Sequence, residues 1–220
     1  MSLIIKRKPV DYKALESGSY IARCVIIAGV GTQEEQDFRT KVPRYVEEIY
    51  MVFECIGYSR THKDGTPFMT EVNGKQVPEP QTIRGTYTRS LGAKAKLARH
   101  LSGWLGKDPG EDDAFDLEAE CLGKACILTV AKKVSETTGN EYNTIESIGP
   151  LVRGMTEPAD SIIKPICYDV NDHTDATFEA LPEWLQEVVQ RSSEWADAHT
   201  AATTISVAGG TIQPIGGPDF

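Results

Sequence analysis

Basic residues are nearly missing from the last third of this 220-residue chain. Residues 156–220 hold two lysines or arginines against eleven carboxylates, whereas residues 1–155 hold 21 of each. The whole net charge of −9 therefore belongs to the C-terminal part, and a uniformly acidic protein is excluded. Long apolar runs are also missing, with nothing near the ~20 residues that a bilayer-spanning helix needs. The opening Met1-Ser-Leu-Ile-Ile-Lys-Arg-Lys8 puts its cations after its apolar residues, the reverse of a signal peptide. Cysteine is sparse: Cys24, Cys55, Cys121, Cys126 and Cys167 are odd in number and lie mostly in apolar stretches. Buried thiols in a reducing compartment are expected, and with them a cytoplasmic location without membrane attachment.

Catalytic and metal signatures are lacking too. His62, His100, His173 and His199 are scattered, and there is no Cys-x-x-Cys, His-x-x-x-His or Gly-x-Ser-x-Gly. Cys121 and Cys126 have no second pair at zinc-finger spacing. Gly29-Val-Gly31 lacks the third glycine of a dinucleotide fingerprint. The carboxylates Asp112, Asp113, Asp116, Glu118 and Glu120 read as a solvated acidic loop, since no Gly-punctuated cation-loop pattern accompanies them. No enzyme and no cofactor are expected.

What is present is a β-rich body, since 40% apolar and 25% charged residues can bury a core. Ser19–Ala28 is β-branched and reads as a buried strand; 29–43 reads as a loop. Arg44–Ile56 alternates, with Ile49, Met51 and Phe53 on one side and Tyr50, Val52 and Glu54 on the other. Residues 57–80 form a polar connection with turn signals at Asp64-Gly65 and Asn73-Gly74, and room for a short hairpin. Gln81–Arg89 reads as a third strand. A helix follows to Leu105, with Ser90 as its N-cap, one apolar face, and Lys96, Arg99 and His100 opposite. Residues 123–133 and Tyr142–Ile148 give two more strands.

The order is therefore β-β-β-α-β-β. That is the element order of an OB-fold, a five-stranded Greek-key barrel. Residues 1–155 are expected to form this barrel. Residues 156–198 should form an acidic extension with an amphipathic helix from Pro182 to about Ala198. In that helix Trp184, Leu185, Val188, Val189 and Trp195 share one arc, and Glu183, Glu187, Glu194 and Asp197 lie opposite. Residues 199–220 are small, polar and Gly-rich, and disorder is expected there.

In an OB-fold the second and third strands and the loops after strands one and four form the ligand face. Single-stranded nucleic acid needs cations for phosphates and aromatic faces for bases, and both types gather at those places here. Arg39, Lys41, Arg44 and Tyr45 lie around the first loop. Arg84, Tyr87 and Arg89 lie on the third strand, and Lys132, Lys133 and Tyr142 flank the last loop. The bland reading is ordinary surface charge and half-buried tyrosine. Lys6-Arg7-Lys8 fits a solubilising terminus or a phosphate-contacting arm.

Several motifs resemble those of OB-fold single-stranded DNA-binding proteins from the replication and recombination modules of tailed phages. They include Tyr87-Thr-x-Ser-Leu91, Lys94-x-x-Leu97, Leu101-x-x-Trp-x-Gly106 and Gly18-x-Tyr-x-Ala-Arg-Cys24. Phe115-Asp-Leu117, Leu122-Gly-Lys-x-Cys126, Pro150-Leu-x-x-Gly-Met155 and Leu181-Pro-Glu-Trp-Leu-Gln186 extend the likeness over roughly residues 1–190. It implies a non-catalytic, sequence-tolerant single-stranded DNA binder in the host cell cytoplasm, with a homo-oligomer as an open state. The end, Gly216-Gly-Pro-Asp-Phe220, is similar to the acidic, Pro-Phe-closed tails of bacterial single-stranded DNA-binding proteins. That likeness implies recruitment of replication or recombination proteins through Asp219 and Phe220. The sequence departs from it in parting Pro218 from Phe220 and in carrying a single acid near the tip. A protein-binding OB-like adaptor that ignores nucleic acid is the alternative, in keeping with the zero charge of residues 1–155.

Overall fold

A computed structural model describes residues 11–37, 39–111 and 114–199. Lys6 to Lys8, Phe38, Asp112, Asp113, Asp219, Phe220 and the expected tail from residue 200 lie outside the described residues. The protein is mainly β. Its strands are β1 (Gly18–Gln36), β2 (Pro43–Ser59), β3 (Met69–Val72), β4 (Lys75–Pro78), β5 (Pro80–Thr88), β6 (Ala125–Val134), β7 (Glu141–Gly149) and β8 (Ile166–Asp169). The helices α1 (Lys96–Leu105), α2 (Leu117–Cys121), α3 (Asp175–Glu179) and α4 (Glu183–Val189) punctuate them. The sheet runs β5-β2-β1-β6-β7 with antiparallel pairings, while β3 and β4 form a separate hairpin around Asn73-Gly74. Both turn residues there have positive φ, 53° and 75°, as a two-residue hairpin turn demands.

β1 is far longer than its sequence suggests. The expected loop over 29–43 is instead strand to Gln36, a turn at Arg39-Thr40 closed by Asp37 N–H on Val42 O (3.0 Å), and the start of β2. Glycines 29 and 31 and the polar run 32–37 disguise it, because one sits beside a bulge rather than in a turn. Register shifts at Val25 and Val30 mark two bulges. Each resets which side chains face which way, so β1 feeds apolar residues to both faces of the sheet. Its second edge is shared: Gly18–Arg23 pair with β6, and Ile26–Gly29 pair in parallel with β8.

Two cores result. On one face Ala22, Cys24, Ile27, Met51, Phe53, Ile83, Tyr87 and Leu128 pack with Leu97, Leu101 and Trp104 of α1. On the other, Val25, Ile26, Ala28, Val30 and Val52 pack with Tyr168, Leu181, Leu185, Val188 and Val189. The expected extension is thus fastened to the sheet through a core of its own. The alternation read for β2 matches both cores. α1 starts at Lys96, with Ala95 as an N-cap lacking a side-chain bond. Ser90 is not the cap: its hydroxyl accepts from the Gly92 N–H in a local turn (3.3 Å), and Gly92 disfavours helix. His100, expected on the polar face, is buried. The last helix is broken after α4, and a second helical piece covers 193–199. There Glu194, expected in solvent, accepts hydrogen bonds from Thr32 N–H (2.8 Å) and Oγ (2.7 Å). His199, assigned to the tail, is helical and stacks on Trp195 at 4.1 Å.

The outer strands β5 and β7 come close, yet no ladder joins them among the described residues. Residues 11–17 bridge that seam. Lys13 N–H donates to Thr61 O (3.0 Å), Leu15 N–H donates to Asn143 Oδ1 (2.9 Å), and Asn143 Nδ2 donates back to Leu15 O (2.8 Å).

Candidate nucleic-acid interface

Strand parity decides the fate of the sequence-selected residues. On β5, Ile83 and Tyr87 point into the first core and Arg84, Thr86 and Thr88 point out. Tyr87 is 2% exposed, and its hydroxyl lies 3.0 Å from His100 Nδ1. It is a core residue, a correction to its assignment as a base-stacking side chain. Burial pushes the Tyr87 phenol up and holds the His100 imidazole down at about 4, so this pair is neutral at physiological pH.

Several expected phosphate ligands are already occupied by carboxylates. Arg44 binds Glu35 at 2.6 Å. Arg89 clamps Glu47 (3.0 Å) and Asp169 (2.8 Å), tying β8 to the end of β5. Lys132 holds Glu141 (2.9 Å) and Glu16 (3.0 Å), and Lys133 holds Glu146 (2.9 Å). These bonds keep both ammonium groups above their usual range, Lys132 chiefly through Glu141 and Lys133 through Glu146. Arg39 and Lys41 are exposed in the turn between β1 and β2, Lys41 with a φ of 60°. Tyr45 (71% exposed) stands on that same hairpin arm, remote in sequence register from β5 residues 80–86. The ten expected residues therefore do not form one patch.

Arg84 does face a groove. It is exposed on the outward side of β5, carries no ion pair among the described residues, and lies 4.7 Å over the Trp184 ring. The groove, about 820 Å³, passes over β5. It is lined by Thr70 and Val72 of β3 with Arg60 and Glu79, and by Leu181, Pro182 and Trp184 of the extension. Tyr12 and Tyr142 line its end. Arg60 is stacked as well, 4.6 Å from the Phe68 centroid and 5.5 Å from that of Tyr12, while holding Glu79 at 2.9 Å. A second hollow of about 440 Å³ is lined by Lys13, Lys63, Lys132, Asn140 and Glu141, and it shares Tyr12 with the first. Together the two are lined by five cations, of which Arg60 is held by Glu79 and Lys132 by Glu141 and Glu16. Guanidinium groups on aromatic faces beside a line of lysines can stack a planar base and neutralise phosphates.

Of the sequence-selected residues, Arg84, Lys132 and Tyr142 line these hollows; Tyr12, Lys13, Arg60, Lys63 and Trp184 were missed. Tyr58-Ser-Arg60 offered a basic–aromatic signal, hidden inside a segment read as turns. Among the described residues no cluster of three or more His, Cys, Asp or Glu is arranged to hold a metal, and no helix is long and apolar enough to cross a membrane. In comparisons with known proteins, no family model, no curated protein and no solved structure matches the chain.

Proposed function

We propose that the chain is a non-catalytic, sequence-tolerant single-stranded DNA-binding protein built on an OB-like barrel. The barrel reading draws support from the strand order. Counting the five main strands in chain order, the path is 3-2-1-4-5, with α1 between the third and fourth. That is the connectivity the β-β-β-α-β-β pattern calls for, with residues 11–17 filling the seam that a closed barrel would pair. The observation that carries the function is the pair of hollows that share Tyr12, one over β5 and one beside the β6–β7 turn, cationic and aromatic together while the rest of the chain is acidic. A role in phage replication or recombination follows from the sequence resemblance.

The test is a gel-shift series with a poly-dT oligonucleotide, its duplex and an RNA of equal length, at roughly 50 and 200 mM salt. Preferred binding of the single strand, weakening at the higher salt, is expected. Equal affinity for single strand and duplex at low salt contradicts the proposal. The adaptor reading gains from one place, the β1–β2 arm. There Val42 and Tyr45 are exposed and Arg44 is bound to Glu35, a surface suited to a protein partner rather than to phosphate.

A further inference from the structure

We infer that Trp184, carried by the C-terminal extension, is the stacking platform for an unpaired base in the β5 groove. The extension is then one half of the binding surface rather than an appendage. This rests on the single-stranded DNA reading above.

Leu185, Val188 and Val189 of α4 are buried in the second core and anchor the helix. Trp184, the residue before them, is partly buried against the same core and also lines the groove. Its ring is held in place by the Arg84 guanidinium at 4.7 Å and the Tyr50 ring at 5.9 Å. An aromatic plane beside a cation without a carboxylate partner is what a base and its phosphate require.

The wall is fixed, because Glu54, Arg23 and Gln33 of β1 and β2 are bound to the extension. Glu54, 3% exposed, accepts the N–H groups of Ile162 and Ile163, each at 2.9 Å. Arg23, 9% exposed, donates to the carbonyls of Pro158 (2.9 Å) and Ala159 (3.3 Å). Gln33 donates to Val188 O at 3.1 Å. The same docking buries the outer faces of β1 and β2, which an uncovered barrel would offer to a strand. The path is thereby confined to β5 and the β3 residues that line the groove. A short site, about 4 nucleotides, is expected, the lower end for this kind of barrel.

The experiment uses the full chain with Trp184→Leu, Trp184→Phe and Trp195→Leu, read by oligo-dT affinity and by quenching of tryptophan fluorescence. Trp195 packs on the same second core, against Phe178, and is absent from the groove lining, so it controls for loosened packing. Trp184→Leu is expected to weaken binding about tenfold or more and to lose most of the quenching, with Trp184→Phe retaining most affinity. Trp195→Leu should bind within about twofold of the parent. Unchanged affinity and quenching in Trp184→Leu, or equal losses in both leucine variants, overturns the inference while a DNA-binding parent protein leaves the broader reading standing. A parent protein that fails to bind oligo-dT removes the broader reading itself.

Discussion

Tyr87 and Glu48 are polar side chains sealed where a surface reading would leave them in water. Tyr87 joins the core through its ring and keeps one hydrogen-bond partner, His100. Tyr87→Phe should cost about 1 kcal/mol in chemical denaturation and leave DNA affinity unchanged, since only the buried hydroxyl is lost. Glu48 is 7% exposed, and burial together with the neighbouring Glu35 carboxyl pushes it up to about 7. An unfolded glutamate titrates near 4.5, so the folded chain holds the extra proton between those values. Stability is then full below about pH 4.5 and falls as pH rises toward 7. Glu48→Gln should therefore stabilise the protein by about 1–2 kcal/mol at pH 8 and change little at pH 4.5, measured by denaturant midpoints at both values.

Among the elements, α1 packs its backbone closely on β7. A Cβ added at Gly103 would lie 2.8 Å from the Ile148 carbonyl oxygen on β7. Gly103→Ala should lower stability by about 1–3 kcal/mol despite the ~1 kcal/mol helix propensity that alanine gains, because the helix must lift off the strand. The strap of the extension makes a second case. Glu54→Ala leaves two N–H groups without their acceptor, and hydrogen exchange over residues 157–165 should accelerate at least tenfold, with β1 amides unchanged. The main strands and α1 were legible because their apolar periodicity is strong. β1 beyond Ala28 was not, because Gly29, Gly31 and the polar run at 32–37 mimic a loop. At Gly31 the φ of 77° and the close approach of Glu194 exclude a side chain, a tertiary reason that local pattern does not carry. β8, α2 and α3 are too short to carry a period.

Over the whole molecule, charge is sorted by surface. Carboxylates neutralise Arg44, Arg89, Lys132 and Lys133, so a count of basic residues on strands overstated the interface. Arg84 was legible because outward parity on β5 follows from Ile83 facing in; the same parity would have placed Tyr87 in the core. Tyr12, Arg60 and Trp184 come from three distant segments, and only the docking of the extension and the bridging of the seam bring them to one groove. No window of sequence holds that information.

The central claim is that an unpaired strand lies in this groove. The most direct measurement is photo-crosslinking of the full chain to an iodouracil-substituted oligo-dT, with peptides mapped by mass spectrometry. Crosslinks at Tyr12, Tyr142 and Trp184, lost when Arg84→Glu reverses the charge of the groove cation that has no carboxylate partner among the described residues, are the predicted result. Crosslinks confined to Tyr45 on the β1–β2 arm, or a pattern that Arg84→Glu leaves intact, would contradict it.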